Sequence, residues 1–411
     1  MIDTNRKIIE ALRTGVPTRE VIDLLTSGQV ELETKFTTFL KQKKQGVKTS
    51  SNGFVFFGGF GTGKSHVLET FSKRALDENF VVSRATISQN VKLGTPADII
   101  KSLLSETQTL NHLEDGLERL LGDATATGNG FVPLITWIQN EVNSGQMSSI
   151  YLGIARGLAN TRYGSDLFEL IIEFLRGSSV GGELKRTIGE PGLTLPKSIT
   201  RPRETGAFLT RLFISLGYAG WVVLFDELEL IRLLNGHVLR GRSYAELAHW
   251  MGFNGERPDQ GLTVIGCMTS GYVQERIDWT NNGPSEITTI PNHILASKSS
   301  HLYDSAKFGM ESLQEWAAEP VYTLHRPTKN DLLRIQSVLK DTYEETYRIK
   351  VATLPITHSS IDPMRVHIRR WIVSWDLERQ GLEIDLQDNH LAQVYVIEED
   401  SDSDDDSDDP Q

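Results

Sequence analysis

The sequence predicts an α/β fold: a parallel five-stranded sheet with a long helical insertion and a small C-terminal helical lid. Three observations predict it. Five short runs rich in β-branched and aromatic residues recur along the chain: Phe54–Phe57, Phe80–Val82 extended toward Ile87, Trp221–Phe225, Leu262–Met268 and Val321–Leu324. Helical patterns separate them, which implies right-handed βαβ units and a doubly wound sheet. The first run leads into Gly58-Gly59-Phe60-Gly61-Thr62-Gly63-Lys64-Ser65, which matches G-x-x-x-x-G-K-[ST] at every fixed position.

Residues 1–50 read as an N-terminal helical segment. Ile8, Ile9 and Leu12, then Val21, Ile22, Leu24 and Leu25, then Leu32, Phe36, Phe39 and Leu40 recur at helical spacing. Gly15-Val16-Pro17 and Ser27-Gly28 break the run. Lys41–Ser51 reads as a basic loop. A P-loop core is expected over 51–326, with the insertion at about 97–218. Within it helices are expected at Ala97–Ser105, Leu113–Leu121, Val132–Val142, Ser149–Ala159, Ser165–Leu175 and Glu204–Gly217. The Gly/Ser/Thr-rich stretches Gly122–Gly130 and Arg176–Lys185 read as loops. The lid spans 327–397, with amphipathic helices at Thr328–Tyr347 and Asp362–Leu377. Residues 398–411 form an acidic tail that cannot bury apolar surface and reads as disordered.

Bulk composition excludes several classes. A chain of 411 residues suits two or three domains. The lone cysteine, Cys267, excludes an intrachain disulfide and a cysteine zinc cluster. The ten histidines show no metal-ligand spacing, so no zinc is expected, and no Ser–His–Asp set is visible. No apolar stretch is long enough to span a bilayer, and Met1–Arg13 lacks an apolar signal core. A cytoplasmic protein without membrane contact is expected. The net charge is −12, but nine acids of the tail account for most of it, which leaves the body at about −3. The tail reads first as a solubility element and, in a sharper reading, as a decoy that competes with DNA for a basic groove.

The glycine-rich loop lies between a buried strand and a helix start, where backbone N–H groups and the helix dipole favour a phosphate. Gly58, Gly59, Phe60, Gly61, Thr62, Gly63, Lys64, Ser65 and His66 are the expected cofactor contacts. Lys64 reaches the β- and γ-phosphates and also counts as catalytic, and Ser65 is a Mg²⁺ ligand. About 0.02 chance matches are expected in a chain this long, so a ligand-free turn is the weaker reading; a degenerate, inactive site is the stronger competitor.

Trp221–Phe225 ends in Asp226-Glu227, a Walker B arrangement. Asp226 is the expected second Mg²⁺ residue and Glu227 the base that polarises the attacking water. Glu229 reads as a solvated helix-face acid. Leu262–Met268 is followed by Thr269 and Ser270. In hydrolytic P-loop proteins with an extra strand between the two motifs, a polar residue here contacts water or γ-phosphate. Thr269 is the first choice and Ser270 the alternative, against a plain strand-end cap. Arg365 on the second lid helix is a candidate phosphate contact, whereas Arg369 and Arg370 fit a solvated basic face better. Arg240-Gly241-Arg242 reads as a basic loop, either surface charge or a source of a trans-acting arginine.

The run Arg6-Lys7-Ile8-Ile9-Glu10-Ala11-Leu12-Arg13-Thr14-Gly15-Val16-Pro17 is similar to the opening of the BrxD-like ATP-binding proteins of BREX phage-defence systems. So are Gly58–Leu68 in its G-x-x-G-x-G-K-[ST]-H form, Phe80-Val81-Val82-Ser83, and the acidic strand end Leu224-Phe225-Asp226-Glu227-Leu228-Glu229. The resemblance is thin across 110–200. It implies an AAA+-like (ASCE) P-loop core, ATP rather than GTP with Mg²⁺, and action with other BREX proteins against foreign DNA. Lys64, Ser65, Asp226 and Glu227 carry over as nucleotide and Mg²⁺ residues. Where such proteins often have Pro-Leu-Thr after the fifth strand, this chain has His325-Arg326-Pro327-Thr328, which leaves the lid geometry open. The expected function is a nucleotide-driven switch or loader, an ATPase acting with defence partners on DNA, as a homo- or hetero-oligomer. The alternatives are an origin-recognition-like DNA-binding ATPase or helicase loader outside defence, or a non-hydrolysing nucleotide-dependent scaffold. DNA contact would use Lys41–Lys48 or Arg365, Arg369 and Arg370.

Overall fold

The computed structural model describes residues 2–14, 19–25, 27–114, 116–127, 130–198, 200–252, 261–278, 285–356 and 364–382. The acidic tail, residues 383–397 of the expected lid, Asp362-Pro363 and the break at Gly15-Val16-Pro17 lie outside the described residues. The chain divides into two compact units. The larger comprises residues 29–59 and 70–324, and the smaller is drawn from residues 1–28, 60–69 and those from 325 onward.

The larger unit is built on a five-stranded sheet of β1 (Gly53–Phe57), β2 (Val81–Thr86), β3 (Thr107–Gln108), β4 (Trp221–Asp226) and β5 (Leu262–Met268), in the order β1-β5-β4-β2-β3. The four long strands are parallel. Every residue of β1 and β4 is buried, as expected of strands covered on both faces, and continuous apolar runs such as Phe-Val-Phe-Phe and Trp-Val-Val-Leu-Phe satisfy that. Gly53 is required at the start of β1, because a Cβ there would lie 1.6 Å from the Val264 carbonyl oxygen.

The fifth strand differs from expectation. Val321–Leu324 contributes one parallel bridge, Phe57 with Thr323, and the Leu324 N–H donates to the Phe57 carbonyl at 2.7 Å. Pro320 folds the start of that run into a tight 3₁₀ turn, Pro320–Tyr322, so too few residues remain extended to form a strand. The fifth strand is instead β3, antiparallel to β2 at the sheet edge. It is anchored by a buried polar chain: the Trp221 indole N–H donates to Ser83 Oγ at 2.9 Å, and Ser83 Oγ lies 2.9 Å from Thr107 Oγ1.

Helices fill the expected insertion: Pro96–Ser105, Gly116–Thr127, Phe131–Asn143, Ile150–Asn160, Asp166–Leu175, Gly181–Ile188 and Arg201–Ser215. Two expected loops are corrected. Gly122–Thr127 continues a helix that buries Leu120, Leu121 and Ala124. Gly181–Ile188 is a helix anchored by buried Leu184, with Glu183 in its first turn and Lys185 and Arg186 in its last, each favourable to the helix dipole. The first part of the expected basic loop is also helical. Val30–Lys44 buries Leu32, Phe36 and Leu40, and Phe36 stacks on Phe71 with ring centroids 4.1 Å apart.

The smaller unit is helical: Ile2–Thr14, Arg19–Leu24, Lys329–Tyr347 and Met364–Arg379. Its core joins the first two helices to the last two through Ile9, Leu12, Val21, Leu339, Tyr343, Trp371 and Trp375. Asp376 is held by the Arg13 guanidinium at 2.6 Å and by the Tyr343 hydroxyl at 2.6 Å. Helix Lys329–Tyr347 starts on a capping box: Thr328 Oγ1 accepts from the Asp331 N–H at 3.2 Å, and Asp331 accepts from the Thr328 N–H at 2.8 Å.

Candidate functional site

The carboxyl ends of the parallel strands bring several expected site residues of the larger unit to one edge of the sheet. β1 runs into Gly58-Gly59, and the Gly58 N–H donates to the Met268 carbonyl at 3.0 Å. β5 delivers Thr269 and Ser270, and β4 delivers Asp226 and Glu227. β5 lies between β1 and β4, so with a normal strand spacing the latter two are about 10 Å apart. Ligands of open α/β sheets bind at this edge.

Asp226 is buried. Its Oδ1 accepts from the Glu227 N–H and from the Cys267 thiol, each at 2.9 Å, and its Oδ2 pairs with the Arg84 guanidinium. The register explains the pair. Thr86 faces Asp226 and Arg84 faces Leu224, so Arg84 projects from the same sheet face two residues back along β2. The Cys267 thiol is pushed well above its ordinary value by burial and then by the Asp226 carboxylate. It therefore stays a neutral donor to that carboxylate.

Glu227 is exposed at the strand end and adopts φ 56°, ψ 41°, the left-handed region. A non-glycine residue there carries strain of order 1 kcal/mol. The bend separates β4 from the 3₁₀ turn Leu228–Leu233 and directs the chain so that Asp226 is buried while its neighbour faces out. Glu229 is corrected: it is buried, not a solvated helix-face acid. Thr269 and Ser270 are half-buried, and the Thr269 carbonyl accepts from the Tyr272 N–H at 3.1 Å.

Residues 60–69 belong to the smaller unit. Gly61 and Gly63 take φ 70° and 99°, conformations open to glycine, and alternating backbone of this kind makes an anion-binding nest. Lys64 begins helix Lys64–Asp77, and no acid lies in its first turn to compete with an anion. Lys64 is half-buried and Ser65 exposed. A cationic side chain, a hydroxyl and a glycine nest at a helix N-terminus are a donor set that fits a phosphate chain. His66, expected among the cofactor contacts, has its Nε2 3.0 Å from the Leu25 carbonyl. The Arg365 guanidinium lies over the exposed Phe60 ring, 4.5 Å from its centroid, so the lid arginine and the glycine-rich loop do meet.

Residues 3–123 match the family model described as BREX system ATP-binding protein BrxC/D. Over those residues the chain is similar to that family, as the resemblance of its opening run and glycine-rich loop implies. The match covers less than a third of the chain, and the glycine-rich loop falls inside it while Asp226 and Glu227 fall outside. No curated protein and no solved structure gives a match.

Other expected residues are placed differently. Arg240 and Arg242 lie in helix His237–Trp250, not in a loop. Arg240 is largely buried, with Nε 2.8 Å from Glu286 and Nη1 3.0 Å from the Leu234 carbonyl, so it is neither surface charge nor presented to a neighbour. Of the basic residues considered for DNA, Lys43 is buried and bonded to Asn52, Lys44 pairs with Glu78 at 2.9 Å, and Arg369 donates to the Thr14 carbonyl at 2.8 Å. Arg84, like Cys267, is a site residue that sequence reasoning missed. The available signal was a cation inside a short, mostly buried strand, Val81-Val82-Ser83-Arg84-Ala85-Thr86, beside the strand that ends in Asp226. No helix among the described residues is long and apolar enough to cross a membrane.

Proposed function

We propose that this chain is a P-loop ATPase that binds ATP with Mg²⁺ and serves a BREX-type antiphage system as a nucleotide-driven switch or loader for partner proteins on DNA. The observation that carries the reading is the strand order. The strand feeding the glycine-rich loop and the strand that ends at Asp226, with Glu227 next, flank a third that leads into Thr269. That is the arrangement expected of hydrolytic P-loop proteins.

In this reading the loop glycines and the helix N-terminus bind the phosphate chain, and Lys64 neutralises charge that develops on its terminal group. Ser65 and Asp226 are the residues that hold Mg²⁺, which when bound neutralises phosphate charge and orients the terminal phosphoryl group. Glu227 accepts a proton from the attacking water, and its exposed, left-handed position keeps the carboxylate out of the Asp226 hydrogen-bond set. Thr269 positions the water or the terminal phosphate. Arg365, drawn over Phe60, is a phosphate contact from the lid.

The test is a pair of variants. Lys64→Ala is expected to lose ATP binding in calorimetry with its circular dichroism unchanged. Glu227→Gln is expected to bind ATP normally and turn over about 100-fold more slowly. Equal turnover by wild type and Glu227→Gln removes Glu227 from the chemistry, and undiminished ATP binding by Lys64→Ala removes the phosphate loop.

A further inference from the structure

Asp226 is gripped unevenly. Its Oδ1 is held by two donors that the sheet fixes in place: the N–H of the next residue and a thiol on the adjoining strand β5. Its Oδ2 is held by Arg84, whose long side chain is 30% exposed and therefore has a path to water. The carboxylate side chain is only 6% exposed, and an ionised carboxylate this deep requires a countercharge. One oxygen is thus locked, and the other is held by a partner that can leave.

We propose that Arg84 is a built-in counter-ion for Asp226, and that a divalent cation reaches this carboxylate only as the Arg84 guanidinium withdraws from Oδ2. The proposal rests on the nucleotide reading above and deepens it. A guanidinium and a divalent ion cannot share one carboxylate oxygen without strong mutual repulsion. Asp226 alone does not offset the loss of the Arg84 pair, whereas the carboxylate together with the oxygens of a bound nucleotide does. Arg84 therefore makes metal binding conditional on nucleotide. It acts through Asp226 as a positioning residue.

The experiment is a Mn²⁺ titration of the full chain followed by electron paramagnetic resonance, with and without ADP. Arg84→Met keeps most of the side-chain volume and removes the charge. Without ADP it is expected to bind Mn²⁺ at least ~10-fold more tightly than wild type, and the difference narrows when ADP is present. Adding Asp226→Asn to Arg84→Met abolishes the gain. Mn²⁺ affinity in Arg84→Met that equals or falls below wild type overturns the proposal. A wild-type measurement stands beside it in case the variant does not fold. The ¹⁵Nε–¹H signal of Arg84, assigned by its loss in Arg84→Lys, is expected to shift when Mg²⁺ and ADP are added together. A signal that stays in place overturns the proposal. Wild type that binds no Mn²⁺ with or without ADP overturns the nucleotide reading as well. Wild type that binds Mn²⁺ with ADP, beside an Arg84→Met variant no tighter without it, overturns only the role of Arg84.

Discussion

Glu227 combines two properties that pull against each other. It is an exposed acid directly after a fully buried strand, and it adopts a backbone conformation that costs free energy for any side chain with a Cβ. Strain of this kind persists where the surrounding structure over-determines it, here by β4 on one side and the 3₁₀ turn Leu228–Leu233 on the other. Glu227→Gly is therefore expected to leave the folded protein as stable as wild type or up to ~1 kcal/mol more stable, while Glu227→Ala gains nothing. Chemical denaturation of the three proteins measures this, and a glycine variant clearly less stable than the alanine variant would contradict it. The same position shows what the sequence reveals and what it hides. The acid pair after Trp221–Phe225 is visible because an apolar run ending in charge has few explanations in a chain that also carries a glycine-rich G-x-x-x-x-G-K-[ST] loop. The burial of Glu229 two residues later is not visible, because a 3₁₀ turn rotates side chains by a different step from the helix expected there. Arg84 is hidden for another reason. Its meaning depends on which strand lies beside β2, and strand order is a long-range property.

At the level of elements, the helix Lys329–Tyr347 shows how a short local signal fixes a boundary. Thr328 and Asp331 satisfy each other's backbone, and the amphipathic pattern of the sequence also opens this helix at Thr328. The Thr328 hydroxyl and N–H hold the Asp331 carboxyl below its usual value. A carboxyl depressed in the folded state adds stability that is present above its unfolded value, near pH 4, and is lost as pH falls through the folded value. Thr328→Ala is thus expected to cost about 1 kcal/mol at neutral pH and to show a smaller further loss than wild type below about pH 4. Thermal melts of both proteins between pH 3 and 7 read the two effects, and parallel curves would refute the capping account. Long helices with regular apolar spacing and buried parallel strands were legible in this way. Elements whose identity rests on tertiary packing were not. Gly181–Ile188 has the composition of a loop and is a helix because Leu184 has a core to enter. Val321–Leu324 has the composition of a strand, but its first half is drawn into a turn that Pro320 starts.

At the level of the molecule, the smaller unit is assembled from three separated stretches of chain, and one of them carries the second half of the glycine-rich loop. In the sequence, residues 1–50 and 327–397 read as separate segments because each has its own helical period. Nothing local records that Ile9 and Leu12 share a core with Tyr343, Trp371 and Trp375. Contacts that tie residues 60–69 into that assembly include His66 to the Leu25 carbonyl and Arg365 over Phe60. A ligand that binds and orders the loop is therefore expected to stabilise the whole smaller unit. At a nucleotide concentration of about 100 times the dissociation constant, the gain is about 2.7 kcal/mol. Hydrogen exchange with and without ATP tests this. Amides of Ile8–Leu12 and of Ile335–Tyr343 are expected to exchange more slowly when ATP is present, although neither stretch belongs to the loop. Lys64→Ala is expected to remove the protection in both stretches at once. If ATP protects only residues 58–68 and leaves the helices at their original rates, the loop is bound without loading the core behind it. Nucleotide state would then have no route to partners through the N- and C-terminal helices.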